Sequence, residues 1–454
     1  MEGKNLTTGS VLNNIVYFSI PYLFSYFLQI LYGLADLFVV GQFCGVSTIT
    51  AVSIGSQIMH MLTVIIVGLA MGTTVVIAQA IGANDKKRTT QAVGNTITLF
   101  LVFSLVMAVV LLLSVGGIVS VMSTPVEAVA ETKSYLTICF LGIPFIVAYN
   151  IIASIFRGLG DSKSPMYFIM IACAVNIILD YVLIGAYRMG ASGAAIATVV
   201  SQTVSVIAAL IFIKKHKSGL QVSRAELKPR KAVMGKILNI GVPVALQDGF
   251  IQIAFLVITI IANLRGLNDA AAVGIVEKII GILFLIPSAM LSTVSAVAAQ
   301  NLGAKKVDRA KKTLWEALAI TVGFGMVFSI AIQFMAGDVV SIFTSESEVI
   351  RLGDQYLRGY VWDCVLAGMH FCFSGFFCAC GWSILSFIHN VAAIIIARIP
   401  LAYLASVMFP DTLYPMGMAT NTGSLLSVLI CVGAYIWLNK RKKLAPFMAE
   451  IGKL

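Results

Sequence analysis

Charge is what this sequence has least of. Of its 454 residues only 11% are Asp, Glu, Lys or Arg, while 59% are hydrophobic, a balance that no ordinary soluble domain shows. Segments of about ten alternating polar and apolar residues are absent, which excludes an outer-membrane barrel. No GxxxxGK[ST] phosphate loop occurs, so ATP is not expected to drive the chain directly. No connection is large enough to be a soluble domain. The eight cysteines (Cys44, Cys139, Cys173, Cys364, Cys372, Cys378, Cys380 and Cys431) lie in or beside apolar runs. Cys378 and Cys380 have no further ligands at metal spacing, so they read as small buried hydrophobes rather than a metal centre. No nucleophile–base pairing at plausible spacing is found, so an enzyme is not expected, and neither is a cofactor. The basic residues are dispersed among short loops, so the net charge of +11 does not point to nucleic acid. No cleavable leader is visible, and the first apolar run is long enough to stay as an anchor.

What is there is a series of apolar runs of about 20 residues, each long enough to cross a ~30 Å hydrocarbon layer as a helix. Twelve spans are expected, near 13–40, 48–72, 91–115, 133–156, 165–187, 192–213, 236–263, 270–297, 313–335, 353–380, 384–408 and 416–438. The fold class is an all-α polytopic membrane protein. Lys and Arg set its orientation. One set of connections carries Lys4, Lys86, Lys87, Arg88, Arg157, Lys163, and the basic clusters of 214–236, 305–312 and 440–453. The other carries only Lys133, Arg188, Arg265, Arg351 and Arg358. Both termini and the 214–235 loop are therefore expected in the cytoplasm, with the chain in the cytoplasmic membrane.

The chain repeats itself. A shift of 221 residues aligns Ala51 with Ala272, Val52 with Val273, Ile54 with Ile275, Ile58 with Ile279 and Leu62 with Leu283. It then sets AQAIGANDKKR at 78–88 against AQNLGAKKVDR at 299–309, Tyr135 against Tyr356 and Gly160 against Gly381. Pro21 and Pro243 match within one residue. The expected domains are an N-terminal six-helix lobe at 1–213, a cytoplasmic linker at 214–235, a C-terminal six-helix lobe at 236–438 and a cytoplasmic tail at 439–454. Halves related by an axis along the membrane normal are a transporter plan, with substrate bound between them.

Acids at membrane depth cost several kcal/mol and are rarely kept without a use. Asp36 lies about one turn from the end of the first span. Asn176 and Asp180 are i and i+4 in the fifth, on one helical face, and Thr198 falls at similar depth in the sixth. Two carboxylates, an amide and a hydroxyl form a hard-oxygen set suited to Na⁺; the same carboxylates could instead hold a proton. No basic residue in these spans neutralises them. The second half offers Glu277, Asp363 and Asp248 as a substrate or second ion site, although Asp363 and Arg398 fall at similar depth and could simply pair. His60, His370 and His389 read as hydrogen-bonded packing residues. Pro21, fifteen residues before Asp36, removes a helical hydrogen bond and is a candidate hinge. Pro144, Pro287 and Pro400 are further hinge candidates, for which an ordinary static kink is at least as good a reading. In Arg157-Gly-Leu-Gly-Asp161-Ser-Lys-Ser-Pro165, two glycines allow a tight turn, and an Arg157–Asp161 pair could lock it as a gate.

Twelve spans in two halves, an Asp late in span 1 after a proline, Asn-x-x-x-Asp in span 5 and RGxGD before it resemble the multidrug and toxic compound extrusion (MATE) family over residues 10–440. The resemblance implies two bundles in a V-shaped arrangement and Na⁺- or H⁺-coupled export of organic, often cationic, compounds. It implies a cation site at Asp36, Asn176, Asp180 and Thr198, and a kinking role for Pro21. Trp382 stands where the repeat would place Asp161, so the second half lacks that motif. The expected partners are drug-like organic molecules and the lipid bilayer, with the chain a monomer. A flippase for lipid-linked saccharide precursors is the alternative. It would be expected to use a strongly basic cavity, for which Arg398 and Lys278 are thin.

Overall fold

The computed structural model describes residues 5–215, 223–441 and 444. Part of the expected linker, 216–222, and nearly all of the expected tail beyond 441 lie outside the described residues. Within them the chain is helical, without a strand. Lipid offers the backbone no hydrogen bonds, and the helix satisfies its own. The helices in chain order are α1 (Val11–Phe43), α2 (Val46–Gly82), α3 (Lys86–Val121), α4 (Val126–Leu141), α5 (Ile143–Gly158), α6 (Lys163–Asp180) and α7 (Gly190–Lys215). They continue with α8 (Lys231–Arg265), α9 (Leu267–Leu283), α10 (Leu285–Gly303), α11 (Val307–Ser341), α12 (Ser347–Tyr360), α13 (Asp363–Ala379), α14 (Ser383–Ala393), α15 (Ile399–Met408) and α16 (Tyr414–Lys440). Wider π-turns follow α6, at Tyr181–Ala186, and α14, at Ile394–Arg398.

Among the described residues ten spans are long and apolar enough to cross a membrane, and two bent pairs, each taken as one span, bring the number to twelve. The bent pairs correct the sequence reading, which took 133–156 and 353–380 as single helices. Between α4 and α5 the axis turns by 50° at Gly142, with Pro144 in the first turn beyond it, where its missing N–H costs nothing. Between α12 and α13 it turns by 41°. There Cys364 N–H reaches Val361 O and Val365 N–H reaches Trp362 O, three-residue bonds that tighten the turn. Pro287 and Pro400 likewise lie within the first turns of α10 and α15, beside a break or a π-turn.

The chain divides into two compact units, one built on Tyr17–Leu238 and the other on Leu6–Val16 with Asn239 onward. In the first, the second half of α2 is buried continuously from Leu69 to Ala80. The described part of the linker is tied to α3: Thr98 donates to Leu227 O at 2.7 Å, and Arg230 N–H donates to Asn95 Oδ1 at 2.7 Å. Gly94 leaves room for this, since a Cβ there would lie 2.4 Å from Glu226 O. In the second unit α10 is the buried helix, and Gly375 of α13 packs so closely that an added Cβ would meet Leu291 O at 2.3 Å. Leu6 is buried against α10, its N–H donating to Gln300 Oε1 at 3.2 Å. Arg265 closes the end of α8 with an ion pair to Asp269 at 2.7 Å and bonds to the carbonyls of Ser406 and Pro410.

The repeat is visible in the backbone. Gly160 and Gly381 both take left-handed φ, +86° and +79°, as a helix-ending turn demands. In both turns the next residue's N–H reaches back five positions, Asp161 to Phe156 and Trp382 to Phe377.

Candidate cation site

In the first unit α1 turns Leu31, Leu34 and Phe38 outward and Leu28, Asp36, Val39 and Val40 inward, the stripe expected at helical spacing. Tyr32, one turn before Asp36, points the same way. On α6 the inward positions are Ile169, Ala172, Cys173, Asn176 and Asp180, while Ile171 and Ile178 face out. Thr198 lies on the small-residue face of α7, with Ala194, Ala195 and Ser201. The four residues named from the sequence thus come into one buried cluster. Asp36 is 2% exposed, and Asn176 and Asp180 are fully buried.

Thr198 donates its hydroxyl to Asp36 Oδ2 at 3.4 Å. Tyr32 holds Thr198 in turn, donating to its backbone carbonyl at 3.2 Å and meeting Ser201 Oγ at 3.1 Å. Asp180 and Asn176 lie within side-chain interaction range of Asp36, yet no hydrogen bond of good geometry reaches Asp36 Oδ1, either Asp180 oxygen or either Asn176 amide atom. Nearly all buried polar groups are paired, so five such atoms in one cluster stand out. The second unit holds a comparable set on Asp363, Glu277, Arg398 and Tyr356, and it is the lack of a Lys or Arg that sets the first cluster apart. No Lys or Arg forms an ion pair with either carboxylate among the described residues. The donor set fits a small hard cation or a proton: two carboxylates and an amide oxygen facing one another, with no competing base. The π-turn that begins at Tyr181 directly follows Asp180. Phe43, at the end of α1, packs edge-on against Tyr181 at 6.1 Å and close to Gly185, which links the two acid-bearing spans.

A cavity of about 150 Å³ opens beside Asp36, with Gln29, Tyr32, His60, Tyr135, Tyr149 and Asn150 among its walls. Tyr135 fits because Gly55 of α2 has no side chain; a Cβ there would lie 2.3 Å from the ring. Sequence reasoning missed Tyr135, Tyr149 and Asn150, which come from α4 and α5, while Tyr32 was within reach as the i−4 neighbour of Asp36. It also took His60 for a hydrogen-bonded packing residue. Instead His60 forms no hydrogen bond among the described residues and lines the cavity. His389 does follow that expectation, held between Ser374 at 2.8 Å and Ser427 at 2.7 Å. His370 does not, since its Nδ1 is buried without a partner.

Pro21 lies inside α1, which continues through it, and Ser25 donates to the Pro21 carbonyl at 2.8 Å. Arg157 and Asp161 do not pair. Arg157 donates to Ser154 Oγ at 2.9 Å and lies over the Tyr22 ring, 5.0 Å from its centroid. Asp161 caps α6, accepting from Lys163 N–H and Ser164 N–H at 3.0 Å each and from the Ser164 hydroxyl. A carboxylate saturated by the start of a helix has no need of the guanidinium. Lys163 lies over Tyr17 at 4.6 Å, so the motif grips α1 on both sides of Pro21.

In the second unit, Arg398 and Asp363 do pair, at 3.8 Å. Arg398 also donates to Tyr360 Oη and lies over the rings of Phe255 and Tyr360, at 5.3 and 5.7 Å. Glu277 accepts from Thr259 at 3.2 Å and is within Coulombic range of the same guanidinium. Asp248 joins neither acid; its electrostatic neighbour is Cys378.

Twelve spans in two matching halves, with charges buried in each, define a membrane transporter. A model of the MatE family matches residues 21–182 and again 243–404, two stretches of equal length that fall on the two halves of the repeat. The chain belongs to the MatE family, a family of transporters and not of enzymes. It is 27% identical over 442 residues to the probable multidrug resistance protein YoeA of Bacillus subtilis, covering 96% of each chain. It is 25% identical over 375 residues to the multidrug export protein MepA of Staphylococcus haemolyticus, covering 82% of each. Among solved structures, an outward-facing multidrug resistance MATE transporter of the MOP superfamily shares the fold with a TM-score of 0.90 at 22% identity, covering 97% of this chain and 98% of that one.

Proposed function

We propose that this chain is a secondary active antiporter of the cytoplasmic membrane, with both termini in the cytoplasm. In this reading it exports amphipathic organic compounds, often cationic, in exchange for Na⁺ or H⁺. The observation that carries the reading is the cluster of orphaned polar atoms on Asp36, Asn176 and Asp180, with two acids and no base. A cation or proton entering it supplies the missing partner; leaving, it restores two unscreened carboxylates in a low-dielectric site. That difference is the switch. Substrate affinity falls when the cation is bound, and α1 rearranges about Pro21 as the repulsion between the two acids is relieved. The names of the relatives, multidrug resistance and multidrug export proteins, support organic substrates. The cavity beside Asp36 combines tyrosine faces with one acid, which suits a cation with an apolar body. The same cavity argues against lipid-linked pyrophosphates, because neither Lys nor Arg is among its lining residues.

The test is ethidium efflux from proteoliposomes under an imposed Na⁺ gradient and, separately, a proton gradient. One of the two is expected to drive efflux, and Asp36→Asn is expected to abolish the driven component while the protein remains folded in the membrane. Normal gradient-driven efflux by that variant would overturn the mechanism.

A further inference from the structure

Asp36 and Asp180 of the first unit are buried, as is Asp363 of the second, while Glu277 is half-buried; only the first unit keeps its pair apart from a base. Among the described residues, Asp36 and Asp180 meet no cation. Glu277 and Asp363 share one: Arg398, 8% exposed, reaches Asp363 at 3.8 Å and lies in the field of Glu277. Its setting is that of a bound ligand. Phe255 and Tyr360 present their rings to the guanidinium, and the Tyr360 hydroxyl accepts from it, the arrangement by which proteins hold organic cations. A guanidinium cannot lose its proton in a protein, and a backbone-attached one cannot leave.

We propose that Arg398 is a tethered counter-cation. It permanently fills, in the second unit, the kind of site that the first unit leaves open. One exchangeable cation therefore binds per cycle, and it binds in the first unit. This rests on the reading of Asp36 and Asp180 as the coupling site. Its consequence is electrical. Exchange of one monovalent cation for one monovalent organic cation moves no net charge. A second exchangeable cation at Glu277 and Asp363 would leave one charge uncompensated.

The experiment uses the full chain in proteoliposomes, with ethidium as substrate and whichever ion gradient drives it. Membrane potential is stepped by 100 mV with valinomycin and potassium. The steady-state ethidium ratio is expected to stay the same. Two coupling cations would shift it roughly 50-fold, because one charge through 100 mV is worth about 2.3 kcal/mol and each tenfold about 1.4. That shift would overturn the inference and leave the antiport reading intact, whereas the absence of any gradient-driven efflux would overturn the antiport reading itself. A second measurement addresses the tether directly. With Arg398→Ala in detergent and a saturating background of sodium chloride, which keeps the first unit's site filled, millimolar guanidinium chloride is expected to raise the melting temperature, while the same further addition of sodium chloride is not, and the wild type is expected to respond to neither addition. Equal responses of wild type and variant to guanidinium would overturn the assignment. Should the alanine variant not fold, Arg398→Lys keeps the charge and is expected to keep the potential-independent exchange.

Discussion

The two units start from one repeated plan and treat charge in opposite ways. Tyr135 and Tyr356, matched in the repeat, are both fully buried beside the charged groups of their own unit. Each unit inserts a π-turn in its fifth span, and a charged residue marks each turn: Asp180 immediately precedes the first, and Arg398 ends the second. Such turns collect at functional sites because they break the helical register and leave a side chain where a regular helix would not put it. In the first unit that side chain is an acid with no partner. In the second it is a base that pairs with Asp363 at 3.8 Å, although no hydrogen bond of good geometry reaches either Asp363 oxygen or Glu277 Oε1. What separates the units is therefore charge: among the described residues the second supplies its acids with a cation and the first does not, which leaves the first poised to accept something mobile.

The largest effect expected from breaking this contrast is in the second unit. Arg398→Ala leaves Asp363 buried and uncompensated, and removal of one partner from a buried pair costs about 3–5 kcal/mol. Thermal unfolding in detergent measures it, and adding Asp363→Asn is expected to recover much of the loss. A cost no greater than that of a surface substitution would mean that the two units do not differ in the way described. Next comes Arg157, which holds α1 through Tyr22 and the turn through Ser154. Arg157→Gln is expected to cost about 2 kcal/mol, from one charged hydrogen bond and one cation–π contact. It is also expected to slow the conformational step, because the contact lies one residue from Pro21. A drop in stability with unchanged single-turnover efflux would confine Arg157 to packing.

Much of this contrast could be read from the linear chain. Twelve apolar runs, the 221-residue shift and the i, i+4 spacing of Asn176 and Asp180 are local or periodic signals. The placement of Asp36 follows from its stripe on α1. What the chain conceals is non-local. Tyr135, Tyr149 and His60 enter the cavity from other helices, and nothing in their neighbourhoods marks them. The lack of an Arg157–Asp161 pair follows from Asp161 being consumed by the backbone of α6, a competition that residue types alone do not rank. The bend between α12 and α13 has no proline or glycine at the turn itself. Only α12 hints at it, with Glu348–Arg351 and Asp354–Arg358 pairs on one side and Val349, Leu352 and Tyr356 on the other.

Within the first unit, Thr198 offers a finer probe. Its hydroxyl donates a hydrogen bond to Asp36, and at 3.4 Å it is long. Thr198→Ala is expected to cost about 1 kcal/mol of interaction with the acid, which corresponds to roughly fivefold in the coupling-ion concentration for half-maximal efflux. Folding should hardly change, because Tyr32 bonds the Thr198 backbone and not its side chain. A loss of efflux equal to that of Asp36→Asn would make Thr198 an indispensable ligand rather than a helper.

The smallest expected effect is the most telling. Asp180→Asn removes a carboxylate whose two oxygens form no hydrogen bond of good geometry and whose charged neighbour is another acid, Asp36, so it leaves no base uncompensated. Its melting temperature is expected to match or exceed that of the wild type, within about 1 kcal/mol. This is the opposite of Arg398→Ala, although both side chains are buried, both are charged, and both adjoin a π-turn. Desolvation alone penalises the two alike; only the presence of an internal partner separates them. If Asp180→Asn destabilised the fold by as much as Arg398→Ala, Asp180 would have to be satisfied by a group of the chain itself. The first unit would then be as closed as the second, with no place for an exchangeable ion.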